Sequence, residues 1–237
     1  MKKFSLLFLL IAICPLFAVD YDKLSMHDFL KMARRSNPTA TYAKLNGTLQ
    51  HQRKGAKLLT VPLYFGIILR PERTAGQIVI NKSEGYLLGQ SKQAALTTVT
   101  PMKKNQGNLL GYCGVRASDL TMSFLFCKPE KELEPELLSV VSCRVLLLDN
   151  PADKEKIKVW ISRQHCFPML AEFIRYGETK PYRTLEADGF TKKNDLYYVR
   201  KIRLEGPGWR TRIEFNADSA EVNQLDPAKP PKVIISF

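Results

Sequence analysis

Tyr197-Tyr198-Val199-Arg200-Lys201-Ile202-Arg203-Leu204-Glu205-Gly206-Pro207-Gly208-Trp209-Arg210-Thr211-Arg212-Ile213-Glu214-Phe215 is the stretch whose reading decides the fold. Two runs of strand-forming residues, Tyr197 to Glu205 and Thr211 to Phe215, flank the turn signal Gly206-Pro207-Gly208. The pattern repeats upstream. Ile157 to Arg163, Met169 to Tyr176 and Pro181 to Phe190 are further strand candidates. Gly177-Glu178-Thr179 and Lys192-Lys193-Asn194-Asp195 connect them as short polar turns. Regular spacing of this kind predicts a continuous antiparallel sheet or an open barrel.

Outward from that stretch, strands also run from Tyr42 to Gln52, Leu58 to Leu69, Gln77 to Ile80, Tyr86 to Leu88 and Val140 to Leu148. Lys128 to Glu136 is charged and carries Pro129 and Pro135, so it reads as a loop. Val233 to Phe237 can add an edge strand after the extended Asp226 to Pro231. Helical signals are few. Met26, Phe29, Leu30 and Ala33 fall on one face, with Ser25 as cap, Arg34 and Arg35 at the end and Pro38 as stop. Ser118 and Asp119 can cap a second helix running to about Phe126.

Residues 1–18 have the layout of a secretory signal: Lys2-Lys3, an apolar run from Phe4 to Cys14, then Pro15-Leu16-Phe17-Ala18. Cleavage is expected after Ala18, which places residues 19–237 in the periplasm as a single domain. The rival is cleavage before Cys14 with acylation there, and Ile13 does not fit that processing. The formal charge of +13 suits an anionic membrane surface. Export argues against nucleic acid as a partner. Cys113, Cys127, Cys143 and Cys166 remain after cleavage, and at least one disulfide is expected, involving Cys143.

Catalytic chemistry finds little support. The three histidines are His27, His51 and His165, and no nucleophile elbow, zinc-protease helix, P-loop or dinucleotide fingerprint is present. His165 and Cys166 are adjacent, so on a strand they face opposite ways. No enzymatic activity, metal or cofactor is expected. Phe65, Phe124, Trp160, Phe173 and Phe215 are the candidates for lining an apolar ligand site, since a curved sheet must fill its concave face with side chains, helices or ligand.

Several strings, in order, resemble the outer-membrane lipoprotein-sorting (LolA-like) family. They are Asn46-Gly47-Thr48-Leu49, Glu84 to Gln90, Ser142 to Leu148, Lys158-Val159-Trp160-Ile161-Ser162 followed by Phe167-Pro168, and Trp209 to Phe215. The resemblance implies an α+β fold: an incomplete, strongly curved antiparallel β-barrel packed on a few helices. It also implies a carrier of lipid acyl chains or lipoproteins, handing cargo to an outer-membrane acceptor protein. The same half-barrel serves envelope-stress sensors, so a sensor or protein–protein adaptor is the alternative. Arg70, Arg73 and Arg116 lie where carriers place a gating arginine, and no motif selects one of them.

Overall fold

The computed structural model describes residues 21–34, 40–91, 95–194 and 196–237. The expected signal segment, Arg35 and Pro38 lie outside the described residues. Among the described residues thirteen strands form one open antiparallel sheet. They are β1 (Thr41–Arg53), β2 (Leu59–Leu69), β3 (Arg73–Ile80), β4 (Glu84–Ser91), β5 (Thr98–Pro101), β6 (Lys128–Leu138), β7 (Val141–Asn150), β8 (Glu155–Ser162), β9 (Pro168–Arg175), β10 (Arg183–Lys193), β11 (Leu196–Gly206), β12 (Trp209–Phe215) and β13 (Glu221–Gln224). The spatial order is β5-β4-β3-β2-β1-β12-β11-β10-β9-β8-β7-β6, and β13 pairs with the Thr41–Lys44 end of β1. Hairpins make nearly every connection. Only the β1–β12 pairing joins distant parts of the chain along this order, and it makes two meanders into one sheet.

Every strand expected from the sequence is present within a few residues of its expected ends, apart from the edge strand foreseen at Val233 to Phe237. That segment is extended but joins no ladder. The expected loop at Lys128 to Glu136 is instead β6, an edge strand with register shifts at Pro129/Lys131 and Leu133/Glu136. Each shift adjoins or spans a proline. A proline has no N–H for the ladder and is tolerated at such an edge. Helix is scarce: α1 (Met26–Ala33), α2 (Leu109–Tyr112), α3 (Ala117–Thr121) and one 3-10 turn (Ser123–Phe126). The fold is therefore mostly β, and α+β overstates the helices. Ser25 caps α1 as expected, its Oγ accepting from Asp28 N–H at 3.1 Å. The second helix breaks at Met122, which takes a left-handed conformation (φ 53°), and Asp119 lies inside the first turn rather than at the cap.

Apart from the edge strands β5 and β6, one phase of each strand faces a single large core. It includes Leu45 and Leu49 on β1, Leu63, Phe65 and Ile67 on β2, Ile157, Val159 and Ile161 on β8, and Ile213 and Phe215 on β12. The connection between the edge strands β5 and β6 lies in this core. Its segment from Leu109 to Cys127, here termed the cover, buries Leu110, Cys113, Val115, Leu120, Phe124, Leu125 and Cys127 against the sheet. The cover also shows how strongly the sheet bends. Leu109 N–H donates to Glu84 on β4 at 2.7 Å, and Arg116 binds Glu155 on β8 at 2.8 Å. Those strands are eight spacings apart, about 38 Å in a flat sheet. Leu109 to Arg116 spans at most about 25 Å extended, and half of it is helical. The sheet curls around the cover, while β5 and β6 stay unpaired with each other.

The expected disulfide is not formed: Cys113, Cys127, Cys143 and Cys166 are all buried thiols. The reason is placement. Cys143 lies on the outer-facing phase of β7, in a small cluster with Val145 and Trp160, whereas the other three belong to the main core on the opposite face. The sheet itself separates them.

Candidate functional site

The concave face and its cover bring together four of the five aromatic candidates. Phe65 on β2 stacks on Phe215 of β12, with ring centroids 6.2 Å apart. Phe124 of the cover meets Phe173 of β9 edge to face at 6.0 Å. All four are buried in the one core. Trp160 is not with them. On β8 the core phase is Ile157, Val159 and Ile161, so Trp160 points to the outer face. There its indole N–H donates to Glu136 of β6 at 2.9 Å.

What fastens the cover to the sheet is polar. Arg183 of β10 donates to Asp119 of α3 in a short ion pair, and to the Gly114 carbonyl at 3.1 Å. Both side chains of that pair are almost wholly buried, 3% and 0% exposed. Arg116 of the cover donates to Glu155 of β8 at 2.8 Å and to the Tyr182 hydroxyl at 2.5 Å. Burial opposes the Arg116 charge, but Glu155 and Tyr182 outweigh it and raise its pKa. Both guanidiniums sit near Phe173, 5.4 Å and 4.7 Å from the ring centroid. The Phe124–Phe173 contact is thus bracketed by two arginines, each tied to a buried carboxylate. Arg34, after α1, holds the far end of the cover through the carbonyls of Leu125 (2.6 Å) and Cys127 (2.8 Å). Arg144 of β7 binds Glu132 and the carbonyls of Tyr21 and Leu24, and lies 4.4 Å from the Phe29 ring.

A sequence signal for these charges exists. Arg183 precedes Leu185 and Ala187 at two-residue spacing, Glu155 precedes Ile157 and Val159, and Arg144 precedes Leu146 and Leu148. Each charge occupies the core phase of its strand. Such a charge must be paired, because an isolated buried ion is costly.

His51 is held by a threonine and an arginine. His51 Nδ1 lies 2.8 Å from Thr211 Oγ1, and that hydroxyl spends its single hydrogen on the Cys113 carbonyl at 2.5 Å. His51 Nδ1 must therefore donate, and Nε2 accepts from Arg53 at 3.3 Å. Burial, then the Arg53 charge, pushes the His51 pKa down. Burial does the same to His165. The Cys113 and Cys127 thiols are pushed up to about 11, chiefly by burial, which suppresses the thiolate. Among the described residues no group of three His, Cys, Asp or Glu could hold a metal ion. None of their helices is long and apolar enough to cross a membrane.

Comparison with solved structures places this geometry. A LolA superfamily protein from Nitrosomonas europaea superposes with a TM-score of 0.53 over 86% of this chain and 94% of its own, at 13% identity. The fold is LolA-like. A domain named for outer membrane lipoprotein sorting, from Vibrio parahaemolyticus, matches at TM-score 0.60 and 12% identity, over 85% of this chain and 93% of that one. A DUF1329 family protein from Desulfovibrio piger ATCC 29098 matches at 0.61 and 11% identity, over 84% and 91%. No family model matches the chain, and no curated protein matches it. At these identities the likeness is one of LolA-like fold.

Proposed function

We propose that this LolA-like chain is a non-catalytic periplasmic protein that binds the acyl chain of a lipid or lipoprotein between its sheet and its cover, as a single domain released from its signal after Ala18. The observation that carries the reading is the Phe124–Phe173 contact. One ring belongs to the cover and the other to the sheet, so parting them opens apolar surface on both sides without exposing the sheet's own ladder. The cover suits such movement. Its helices have four and five residues, too short to be stable alone, so its position depends on the Arg183–Asp119 and Arg116–Glu155 pairs and on apolar contact. An acyl chain entering there replaces one apolar contact with another, and the ion pairs set how readily the cover lifts. Phe65, Phe124, Phe173 and Phe215 line the proposed site, and Trp160 is left out of it. Lys2 and Lys3 leave with the signal, so the full-chain charge of +13 becomes +11, which favours approach to an anionic membrane surface, where an outer-membrane acceptor would take the cargo.

The test is native mass spectrometry of the protein purified from its own envelope, followed by solvent extraction. Retained lipid or lipoprotein, diminished in Phe173→Asp, supports the reading. A folded protein carrying neither contradicts it and leaves a protein–protein adaptor.

A further inference from the structure

The outer face of the sheet carries a second built feature. The segment Lys232–Phe237 crosses β2, β3 and β4 as an extended strap without joining any ladder. Side chains hold its backbone instead. Tyr64 of β2 donates to the Val233 carbonyl at 2.7 Å. The Gln77 amide of β3 reads Ile235 twice: its oxygen accepts the Ile235 N–H at 2.8 Å, and its nitrogen donates to the Ile235 carbonyl at 2.8 Å. Two glycines make the floor. A Cβ on Gly66 would collide with the Val233 carbonyl, and one on Gly85 with the Phe237 ring. Lys103 lies 4.1 Å from the centroid of that ring. The loop carrying Lys103 is fixed to Gly85 by Gln106, which accepts from its N–H and donates to its carbonyl. Within the strap, Val233 is buried and Ile235 and Phe237 are partly covered, whereas Ile234 and Ser236 are exposed.

We propose that this groove across β2–β4 is a peptide-binding site, occupied here by the chain's own strap, that takes an extended partner segment with aliphatic, aliphatic and aromatic residues at alternate positions. Three features carry this. The contacts recognise backbone through Tyr64 and Gln77, so they would serve any extended chain. The floor is cleared at two separate strands for close backbone and ring approach. The strap is joined to β13 through Asp226-Pro227-Ala228-Lys229-Pro230-Pro231, a connection that joins no ladder and in which Asp226 accepts from the Ala228 and Lys229 N–H groups in a local turn, so the strap can leave without disturbing a ladder. The strap competes with a partner at the high effective concentration of a short tether, on the order of millimolar, so the site reads as closed until the strap is loosened. This site is on the opposite face from the proposed acyl site and does not depend on it.

The test uses the full chain and a labelled hexapeptide with the sequence of Lys232–Phe237. In an opened chain carrying Ile235→Pro and Phe237→Ser, the peptide should bind at least about tenfold more tightly than to the wild type, because the tethered competitor is removed. Adding Gly85→Val to the opened chain should abolish that binding. Equal binding to wild type and opened chain, no binding to a folded opened chain, or indifference to Gly85→Val overturns the proposal. So does dimerisation of the opened chain without peptide uptake, which would make a second copy the occupant. Amide exchange on the wild type provides a check that needs no variant. The Ile235 amide should exchange well before that of Leu49 in β1, and joint exchange of the two, only on global unfolding, overturns the proposal.

Discussion

The two faces of this sheet use the same ion-pair chemistry to different ends. On the inner face, Arg183 and Asp119 join β10 to the cover with both groups out of water. On the outer face, Arg203 of β11 binds Glu186 at 3.0 Å and Asp188 at 2.9 Å on β10, with all three side chains over 40% exposed. The outer triad joins two strands already paired by backbone bonds. The inner pair joins elements that share no ladder. Breaking the outer triad returns each charge to water, whereas breaking the inner pair strands a charge in the core. Burial, more than the number of bonds, decides which pair positions the cover.

The sharpest way to break that comparison is Asp119→Ala. It leaves the Arg183 charge buried, and about 3–5 kcal/mol of stability should be lost in urea unfolding. Asp119→Leu with Arg183→Met should recover most of this, since an apolar replacement of both partners removes the stranded charge. A similar loss, about 3–5 kcal/mol, is expected for Phe173→Ala in the main core. Trp160→Ala should cost less than Phe173→Ala, because its outer cluster is small, and it should leave any bound lipid in place.

Acid should act next, through His51. Its folded pKa lies below the ordinary value of 6.5, so the unfolded chain binds more protons as pH falls through that value. The His51 contribution is complete above about pH 6.5 and is lost as pH drops toward the folded pKa. Around the ring stand Arg53, Thr211, Tyr112 and Trp209, and none is acidic. Thermal unfolding from pH 8 to pH 5 should therefore show a steeper loss for the wild type than for His51→Asn, whose amide can still donate to Thr211. Parallel curves would assign the acid sensitivity to other groups, His165 among them.

The smallest effect is expected on the outer face. Arg203→Ala should change stability by about 0–1 kcal/mol, and less in high salt. A loss matching that of Asp119→Ala would abolish the distinction between the faces.

The same contrast explains what could be read in the sequence. The strands of the two meanders were legible because a buried phase recurs every second residue, as in Leu45 and Leu49 or Leu204 and Ile202. β6 was not, because an edge strand lying almost wholly in solvent needs no apolar phase and tolerates Pro129 and Pro135. The four-residue α2 gave no periodic signal to find. Trp160 was misassigned to the inner face because residues 159–162 are all buried, so alternation cannot tell one side of β8 from the other. Phe173 and Phe215 escape this difficulty because burial alternates around them, whereas Phe65 lies in a run, residues 63–67, that is buried throughout like that of Trp160. The cover's fastening lies in Arg183 and Glu155, and Arg144 holds the segment before α1 in the same way. These look like ordinary charges until their phase is set against their neighbours.

Hydrogen exchange of the cover, with and without an acylated peptide, tests the central claim most directly. The account predicts that ligand lowers protection at the Val115 and Asp119 amides, which bond within the cover, and leaves the β8 amides Ile157 and Val159 unchanged. Binding of the acylated peptide with an unaltered cover would contradict it.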